Sequence, residues 1–136
     1  MIDQRWVGKR TERSFFTISR EEIRAYCAVI GEKNPIYLHV ETAHLNGYED
    51  VLIPPTYPSL FWQKVTIPWI EQDALLLQRE QSFSYQKALI ANKQYGCEIV
   101  LRKIRNHGAK QYVVHDLFVT NAETTVLTSA ITFVVL

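Results

Sequence analysis

The sequence has few cysteines, and they are not spaced for metal binding. Cys27 and Cys97 are the only two in 136 residues, and neither belongs to a CxxC or CxxH motif. Cys27 lies in a helical apolar pattern and Cys97 in a strand-like run, so we expect both to be buried free thiols. Free thiols fit a reducing compartment, and no metal site is indicated.

The chain also lacks an excess of charge and a long apolar run. Fifteen Lys and Arg residues face 14 Asp and Glu residues, a formal net charge of +1. This balance argues against general attraction to nucleic acid or a membrane surface. No apolar run approaches the roughly 18–20 residues of a membrane span, and residues 1–10 lack the apolar core of a secretory signal. We therefore expect a cytoplasmic protein that binds neither nucleic acid nor membrane.

The composition is that of a folded globular chain. Apolar residues make up 47% of the sequence and aromatic residues 12%, enough for a hydrophobic core in a chain of this length. No internal repeat, linker or low-complexity segment is visible. Residues 1–136 are expected to form one domain.

The clearest helix runs from residue 19 to residue 30. Ser19 and Glu22 have the spacing of a capping box, and Gly31 provides a stop at the C-terminus. An apolar stripe follows the helical period; its members are Ile23, Tyr26, Cys27 and Ile30. A short strand is expected at Phe15 and Phe16, and a helical turn at 40–45.

From residue 78 onward the hydrophobic period is two, which is typical of β-strands. Strands are expected at 78–86, 93–105, 111–120 and 124–135. The apolar or aromatic faces carry Phe83, Tyr85, Tyr95, Cys97, Ile99, Leu101, Val113, His115, Leu117 and Val119. The short turn at Asn106-His107-Gly108 favours an antiparallel meander. Helices followed by a meander predict an α+β fold, with helices on one face of an antiparallel sheet.

Between these halves lies a proline-rich segment that leads into a run of bulky apolar residues. Prolines are tolerated in a first helical turn, so the run Pro54-Pro55-Thr56 is expected to precede a buried helix over 59–65. Pro68 is expected to end this helix. Residues 70–77 are expected to form either another helix or an ordered loop.

The run Gly31-Glu32-Lys33-Asn34-Pro35-Ile36-Tyr37-Leu38-His39 resembles a known signature. In the MaoC-like, or R-specific hydratase, branch of the hot-dog fold it reads Gly-Asp-x-Asn-Pro-(Ile/Leu/Val)-His. The backbone-forming residues of the signature are present, whereas Glu32 replaces its catalytic Asp and Tyr37 its catalytic His. Asn34-Pro35 is first of all a turn-forming pair.

The resemblance extends over most of the chain. Residues 48–58 are similar to the Pro-Pro-Thr start of the family's central helix, 81–85 to its first long strand, and 117–121 to a strand that ends in Thr-Asn. These features are most similar to the N-terminal-domain branch of MaoC-like dehydratases, which includes subunits of 3-hydroxyacyl-thioester dehydratases. The resemblance implies a curved antiparallel sheet wrapped around a long central helix, with dimers that pair edge to edge.

The family reaction implies roles for Glu32 and Tyr37. It adds water to a trans-2-enoyl thioester, or removes it from an R-3-hydroxyacyl thioester, using a carboxylate and an imidazole whose pKa values lie on either side of neutrality. Glu32 keeps the carboxylate but moves it outward, and a displacement of about 1 Å can cost on the order of a hundredfold in rate. The alternative is that Glu32 is a solvated residue after the helix.

Tyr37 differs more from the family pattern, because a phenol with a pKa near 10 cannot act as a base at pH 7. It can donate a hydrogen bond to a thioester carbonyl, or simply fill the pocket floor. If residues 37–39 are extended, His39 points to the same side as Tyr37. It then replaces the missing imidazole, although it lies roughly 7 Å further along the chain.

The resemblance also implies a set of substrate-binding residues. The thioester oxygen needs backbone donors at the start of the central helix, and prolines there have no N–H. The candidates for binding substrate are Asn34, Thr56, Tyr57, Ser59, Phe61 and Trp62, of which the last two limit the depth of the acyl channel. His44 and His107 are expected to be exposed, and His115 half-buried with its hydrogen bonds satisfied.

Four basic residues cluster around the predicted hairpin, namely Arg102, Lys103, Arg105 and Lys110. They form either a solvated strand end or a rim that meets the phosphates of coenzyme A or the acidic face of an acyl carrier protein. No cofactor or metal is expected.

Three functional hypotheses follow. The chain is a subunit of a 3-hydroxyacyl-thioester dehydratase or enoyl-thioester hydratase, and a homologous partner with intact Asp and His supplies the chemistry. Alternatively it is a self-sufficient homodimeric hydratase, or less favourably a thioesterase, that uses Glu32. The third hypothesis is a non-catalytic protein that binds acyl thioesters. Sheet edges favour pairing, so a dimer with itself or with a MaoC-like subunit is expected.

Overall fold

The computed structural model describes residues 1–136 and contains one five-stranded antiparallel sheet. Its strands are β1 (Ser14–Thr17), β2 (Leu76–Tyr85), β3 (Gln94–His107), β4 (Lys110–Asn121) and β5 (Thr124–Val135). The spatial order is β1-β3-β4-β5-β2. Strands β3 to β5 form the predicted meander, whereas β2 crosses to the far edge of the sheet and pairs with β5.

Side-chain alternation gives the sheet one buried face. Along β4, Val113, His115, Leu117 and Val119 are fully buried, whereas the residues between them are partly exposed. The same alternation on β3 buries Tyr95, Cys97, Ile99 and Leu101. These inward faces confirm the period of two that the sequence predicts, and the buried face carries much of a core of 23 apolar residues.

Helix α1 (Arg20–Ile30) has the predicted caps at both ends. The hydroxyl of Ser19 accepts a hydrogen bond of 3.1 Å from the Glu22 N–H, and Gly31 adopts the left-handed conformation with φ of 72°. The buried stripe is narrower than predicted, because Ile30 is 49% exposed. Ile30 is the last residue of the helix, and its side chain is not covered by the core.

Two short helices, α2 (Pro35–Leu38) and α3 (Val40–Leu45), follow α1. The interpretation of 37–39 as an extended segment is therefore wrong. Pro35 occupies the first turn of α2, where its fixed φ is compatible with a helix, and the His39 N–H donates to the Pro35 carbonyl oxygen at 2.8 Å. The helical turn predicted at 40–45 is confirmed.

The buried segment in the centre of the fold is shorter than the expected long helix. It is a 3-10 helix over Tyr57–Lys64, called here the central segment. The prolines before it offer no N–H and disfavour the α conformation of the residues that precede them. Bonds of i to i+3 result, including one of 3.1 Å from the Ser59 N–H to the Thr56 carbonyl oxygen. The segment ends before Pro68, and 70–75 form turns that lead into β2.

The core lies between the inner face of the sheet, the central segment and α1. Phe61 is fully buried there and packs edge-on against Phe16 with ring centroids 4.7 Å apart. Gln111 joins the N-terminal residues to this core: its side chain accepts from the Ile2 N–H at 2.8 Å and donates to the Ile2 carbonyl oxygen at 2.9 Å. No helix of the structure has the length and hydropathy needed to cross a membrane.

Candidate functional site

The signature loop is shaped by its own backbone hydrogen bonds. The left-handed turn at Gly31 lets the Glu32 N–H donate to the Cys27 carbonyl oxygen at 2.9 Å. The side-chain oxygen of Asn34 then accepts from the Ile36 N–H at 3.1 Å and caps α2. The turn-forming role predicted for Asn34 is confirmed, and its amide oxygen is occupied in this role.

A second set of bonds attaches the loop to the chain before the central segment. The Leu52 N–H donates to the Ile36 carbonyl oxygen at 3.1 Å. Next to it, the carboxylate of Asp50 receives two bonds from Arg20, at 2.8 and 3.1 Å, and one of 3.2 Å from Asn92. Helix α1, the loop and residues 50–53 are therefore fixed relative to one another.

Glu32 and Tyr37 are both half-buried and lie close enough to interact electrostatically. Burial raises the pKa of the Tyr37 hydroxyl, and the charge of Glu32 raises it further, followed by a smaller effect of Cys27. The Tyr37 hydroxyl therefore keeps its proton at neutral pH, so it can donate a hydrogen bond to a ligand but cannot act as a base. The Glu32 carboxylate accepts a bond of 3.1 Å from the Lys33 N–H.

His39 is exposed and stands between α2 and α3. Because residues 35–38 are helical, the extended geometry on which its alignment with Tyr37 depended is absent. A role for His39 in place of the missing imidazole therefore loses its geometric basis.

Two tyrosines that were not among the predicted site residues hold the Pro-Pro-Thr segment through hydrogen bonds. The hydroxyl of Tyr85 on β2 donates to the Pro55 carbonyl oxygen at 2.6 Å. The hydroxyl of Tyr26 on α1 shares a hydrogen bond of 2.7 Å with the Thr56 hydroxyl. Both residues belonged to predicted apolar faces, where the polar tip of a tyrosine is the only signal that a partner is required.

Three residues at the start of the central segment, Thr56, Tyr57 and Ser59, are the candidate backbone donors, and their N–H groups are not equally free. The Tyr57 N–H donates to the Pro54 carbonyl oxygen at 2.9 Å, and the Ser59 N–H donates to Thr56. The Thr56 N–H has no hydrogen-bond partner within the chain. Thr56, which is exposed, is therefore the one residue of the three whose amide is free to donate to a ligand.

The phenols around this segment remain protonated. Burial raises the pKa of Tyr85, and the nearby hydroxyls of Tyr37 and Tyr26 raise it further. Burial also raises the pKa of Tyr57, with a further contribution from Glu22. The hydroxyl groups of the site are therefore neutral, with the Glu32 carboxylate near Tyr37 and the Glu22 carboxylate near Tyr57.

The two bulky residues of the central segment have different surroundings. Phe61 is part of the closed core. Trp62 is partly exposed, lies edge-on to Phe133 with ring centroids 5.8 Å apart, and has an indole N–H without a partner. Of the two, only Trp62 has surface that a ligand could contact.

His115 is fully buried rather than half-buried. The Trp69 indole N–H donates to its Nε2 at 2.9 Å, so the ring proton is assigned to Nδ1, which has no partner. Burial lowers the pKa of His115 to about 4, although Asp116 acts in the opposite direction. The imidazole is neutral at pH 7 and enclosed in the core.

The four predicted rim cations divide into separate groups. Arg102 forms a two-point ion pair with Asp116, at 2.8 and 2.6 Å, so its charge is neutralised on the sheet surface. Lys103 and Arg105 are exposed and have no acidic partner. Lys110 lies opposite His107 where the hairpin closes. No three His, Cys, Asp or Glu side chains converge in a way that could hold a metal ion.

The sheet order, the central segment and the signature loop together define a hot-dog protein of the dehydratase and hydratase class. The family described as FAS1-like, dehydratase domain region, matches residues 5–129. The chain belongs to this family. A UPF0336 protein of Parafrankia sp. is 28% identical over 120 residues, which is 83% of this chain and 80% of that protein.

Solved structures show the same fold. The HadBC (3R-hydroxyacyl-ACP dehydratase) complex from Mycobacterium tuberculosis, truncated at the C-terminus, matches with a TM-score of 0.85 at 20% identity, covering 95% of this chain and 96% of that chain. The (R)-hydratase from A. caviae involved in PHA biosynthesis matches with a TM-score of 0.74 at 16% identity, covering 93% and 94%. The predicted hot-dog fold is confirmed.

Proposed function

We propose that the chain is a subunit of a 3-hydroxyacyl-thioester dehydratase or enoyl-thioester hydratase that binds acyl-CoA or acyl-carrier-protein substrates. The observation that carries the proposal is the pairing of Glu32 with a protonated Tyr37 in an otherwise intact signature loop. The loop keeps the turn-forming residues of the signature, which supports a place for two side chains beside a thioester, whereas the imidazole is replaced by a phenol that stays protonated at neutral pH.

The chemistry explains why this chain needs a partner. Dehydration removes a proton from C2 while the C3 hydroxyl takes up a proton and leaves as water, so one group accepts a proton and another delivers one. Tyr37 cannot accept the C2 proton, because its raised pKa keeps the hydroxyl already protonated at neutral pH. Glu32 alone would have to accept the C2 proton and also deliver a proton to the departing hydroxyl. A homologous subunit with intact Asp and His supplies the missing pair.

In this division of labour the chain binds and orients the substrate. The free Thr56 N–H meets the thioester oxygen, Tyr37 adds a second hydrogen bond, and Trp62 limits the acyl channel. Asn34, Tyr57 and Ser59 support this surface through their backbone and capping bonds.

The outer edge of β2 supports assembly with a second subunit. Strand β2 has ten residues and pairs only with β5, so the N–H and C=O groups on its other side have no strand partner. Such an edge is a template for another strand. The related HadBC structure is a complex, and we infer that β2 is the pairing edge here.

A homodimeric hydratase is the second candidate, favoured by the retained carboxylate of Glu32 beside a hydroxyl donor. An assay distinguishes the subunit from the homodimeric enzyme. Hydration of short and medium enoyl-CoA substrates is measured first with the chain alone and then with a homologous subunit that carries the intact signature. We expect activity only with the partner, and Glu32→Gln in this chain to change it little. Activity of the chain alone that Glu32→Gln abolishes would establish the homodimeric enzyme instead.

A protein that only binds acyl thioesters gives a third outcome, namely saturable acyl-CoA binding without turnover in either setting. Tyr37→Phe is the matched variant for the binding role, since it removes one hydroxyl and keeps the ring. We expect it to weaken acyl-CoA binding several-fold, consistent with one lost hydrogen bond of about 1 kcal/mol. Circular dichroism checks that both variants remain folded.

A further inference from the structure

A basic groove crosses the outer face of the sheet, on the side away from the core. Its floor contains Val114 on β4 and Thr132 on β5, which are paired in register. Its walls carry three cations and one aromatic ring, contributed by Arg79, Lys103, Arg105 and Tyr112. These residues are called the arginine groove below.

Two of the cations are held by the same ring. The guanidinium carbon of Arg79 lies 5.2 Å from the centroid of Tyr112, and that of Arg105 lies 5.5 Å from it. Arg79 is on β2 and Arg105 on β3, two strands that β4 and β5 separate in the sheet. The fold therefore brings together two cations from distant strands, and cation–π contact with Tyr112 restricts their orientation.

The positive charge of the groove is only partly balanced within the chain, because three cations and one carboxylate line it. Every ion pair of the structure involves other cations, namely Arg10, Arg13, Arg20 and Arg102. Glu80 also lines the groove but makes no ion pair. Like charges held close together repel each other, and a bound anion would relieve this repulsion.

We propose that the arginine groove binds phosphate groups, with a diphosphate as the best-fitting unit. Guanidinium groups bind phosphate oxygens through paired N–H donors, and two of them that contact one ring can each meet one phosphoryl group. Lys103 adds a third positive charge. Arg102 is excluded, because Asp116 already pairs with its guanidinium through Nε and Nη2.

The groove is separate from the site at Thr56. Arg79 lies six residues from Tyr85 along β2, roughly 20 Å in an extended strand, and Tyr85 marks the Pro-Pro-Thr end. The proposal therefore goes beyond the function proposed above and does not depend on it. The diphosphate belongs either to coenzyme A or to an independent phosphorylated ligand.

The test is calorimetric titration of the full chain with inorganic pyrophosphate at low ionic strength. We expect saturable binding that the double variant Arg79→Gln/Arg105→Gln weakens by roughly tenfold or more, because two charge-assisted contacts are lost. Arg5→Gln is the matched control, since Arg5 also stacks on an aromatic ring, 5.7 Å from the Trp6 centroid. It should bind within about twofold of the unaltered chain, as expected for an exposed charge that does not line the groove.

Two results would overturn the proposal: no saturable binding by the unaltered chain, or equal weakening in the double variant and in Arg5→Gln. Tyr112→Phe keeps the ring and should bind normally, whereas Tyr112→Leu removes it and should weaken binding. Coenzyme A and pantetheine form the second arm. Loss of coenzyme A affinity in the double variant, with pantetheine unaffected, identifies coenzyme A as the source of the diphosphate. If the double variant loses affinity for pyrophosphate but not for coenzyme A, the diphosphate belongs to an independent ligand.

Discussion

The Tyr85 hydroxyl donates a 2.6 Å hydrogen bond to the carbonyl oxygen of Pro55. This contact joins residues 30 positions apart in the chain and fixes the peptide that carries the free Thr56 N–H. The orientation of that amide therefore depends on the last residue of strand β2.

Tyr85→Phe is expected to weaken binding or turnover of the thioester more than it weakens the fold. Loss of one hydrogen bond costs about 1 kcal/mol of stability, whereas an amide displaced by about 1 Å can cost on the order of a hundredfold in rate. Chemical denaturation and acyl-CoA titration measure the two effects. Tyr48→Phe is the control, because Tyr48 is 37% exposed. Equal effects of both variants on ligand binding would show that Tyr85 does not position the amide.

Trp62→Ala is expected to shift the preference of the assembled enzyme towards longer acyl chains, because the partly exposed indole borders the proposed channel. Phe61→Ala is expected to shift the chain-length preference in the same direction. It also truncates a fully buried ring, which lowers the stability of the fold by about 3–5 kcal/mol. Competition between acyl-CoA substrates of different length measures the shift. Tyr112→Ala, which removes an aromatic ring from the outer face of the sheet, should leave the preference unchanged. An unchanged preference in Trp62→Ala would argue against Trp62 as the limit of the channel.

His115 is expected to make stability fall as the pH falls from about 6.5 to about 4. Its pKa is lowered to about 4 in the folded chain, mainly by burial, so over this range only the unfolded chain binds a proton at this position. Stability is therefore complete above the unfolded pKa and decreases below it, by on the order of 3 kcal/mol at the lower limit.

The pH dependence of the unfolding free energy checks this expectation. His115→Leu should remove that part of the slope, although it also leaves the Trp69 indole N–H without its acceptor and lowers stability at neutral pH. His107→Leu, at an exposed position, should keep the slope of the unaltered chain. If the unfolding free energy of His115→Leu depends on pH as that of the unaltered chain does, the pH dependence does not come from His115.

Asp50 is expected to add a second loss of stability at lower pH. Burial raises the pKa of its carboxyl, but hydrogen bonds from Arg20, the Val51 N–H and Asn92 outweigh burial, so the pKa is lowered overall. Its contribution is complete above the unfolded pKa of about 3.9 and is lost as the pH falls through the folded pKa. Asp50→Asn should be less stable than the unaltered chain at pH 6, with a difference that shrinks below about pH 4. Asp73→Asn, in an exposed turn, should show no such convergence.

Much of the fold could be predicted because local patterns and packing agree. Ser19, Glu22 and Gly31 define α1 by short-range hydrogen bonds, and the alternation on β4 needs only one buried face. The final strand was predicted with the bounds that the structure shows, Thr124–Val135. The position of β2 next to β5 could not be predicted from pattern, because it depends on a crossover rather than on neighbouring residues.

The candidate site was predicted less completely. The turn at Asn34 depends on bonds within three residues and was predicted correctly, whereas the helical state of Tyr37 was missed although Pro35 favours it. Tyr26 and Tyr85 reach partners 30 residues away, and no local pattern identifies such contacts. The assignments of Glu32, Tyr37 and the substrate-binding residues stay predictions.

The two cysteines give this protein a built-in measure of local opening. Cys27 on α1 is 1% exposed and Cys97 on β3 is fully buried; burial raises the pKa of both thiols, to about 12 for Cys97. A thiol reagent therefore reacts only when the surrounding structure opens. The two labelling rates separately report the motion of the helix that leads into the signature loop and the motion of the sheet, so ligand protection of Cys27 alone would locate binding at that helix.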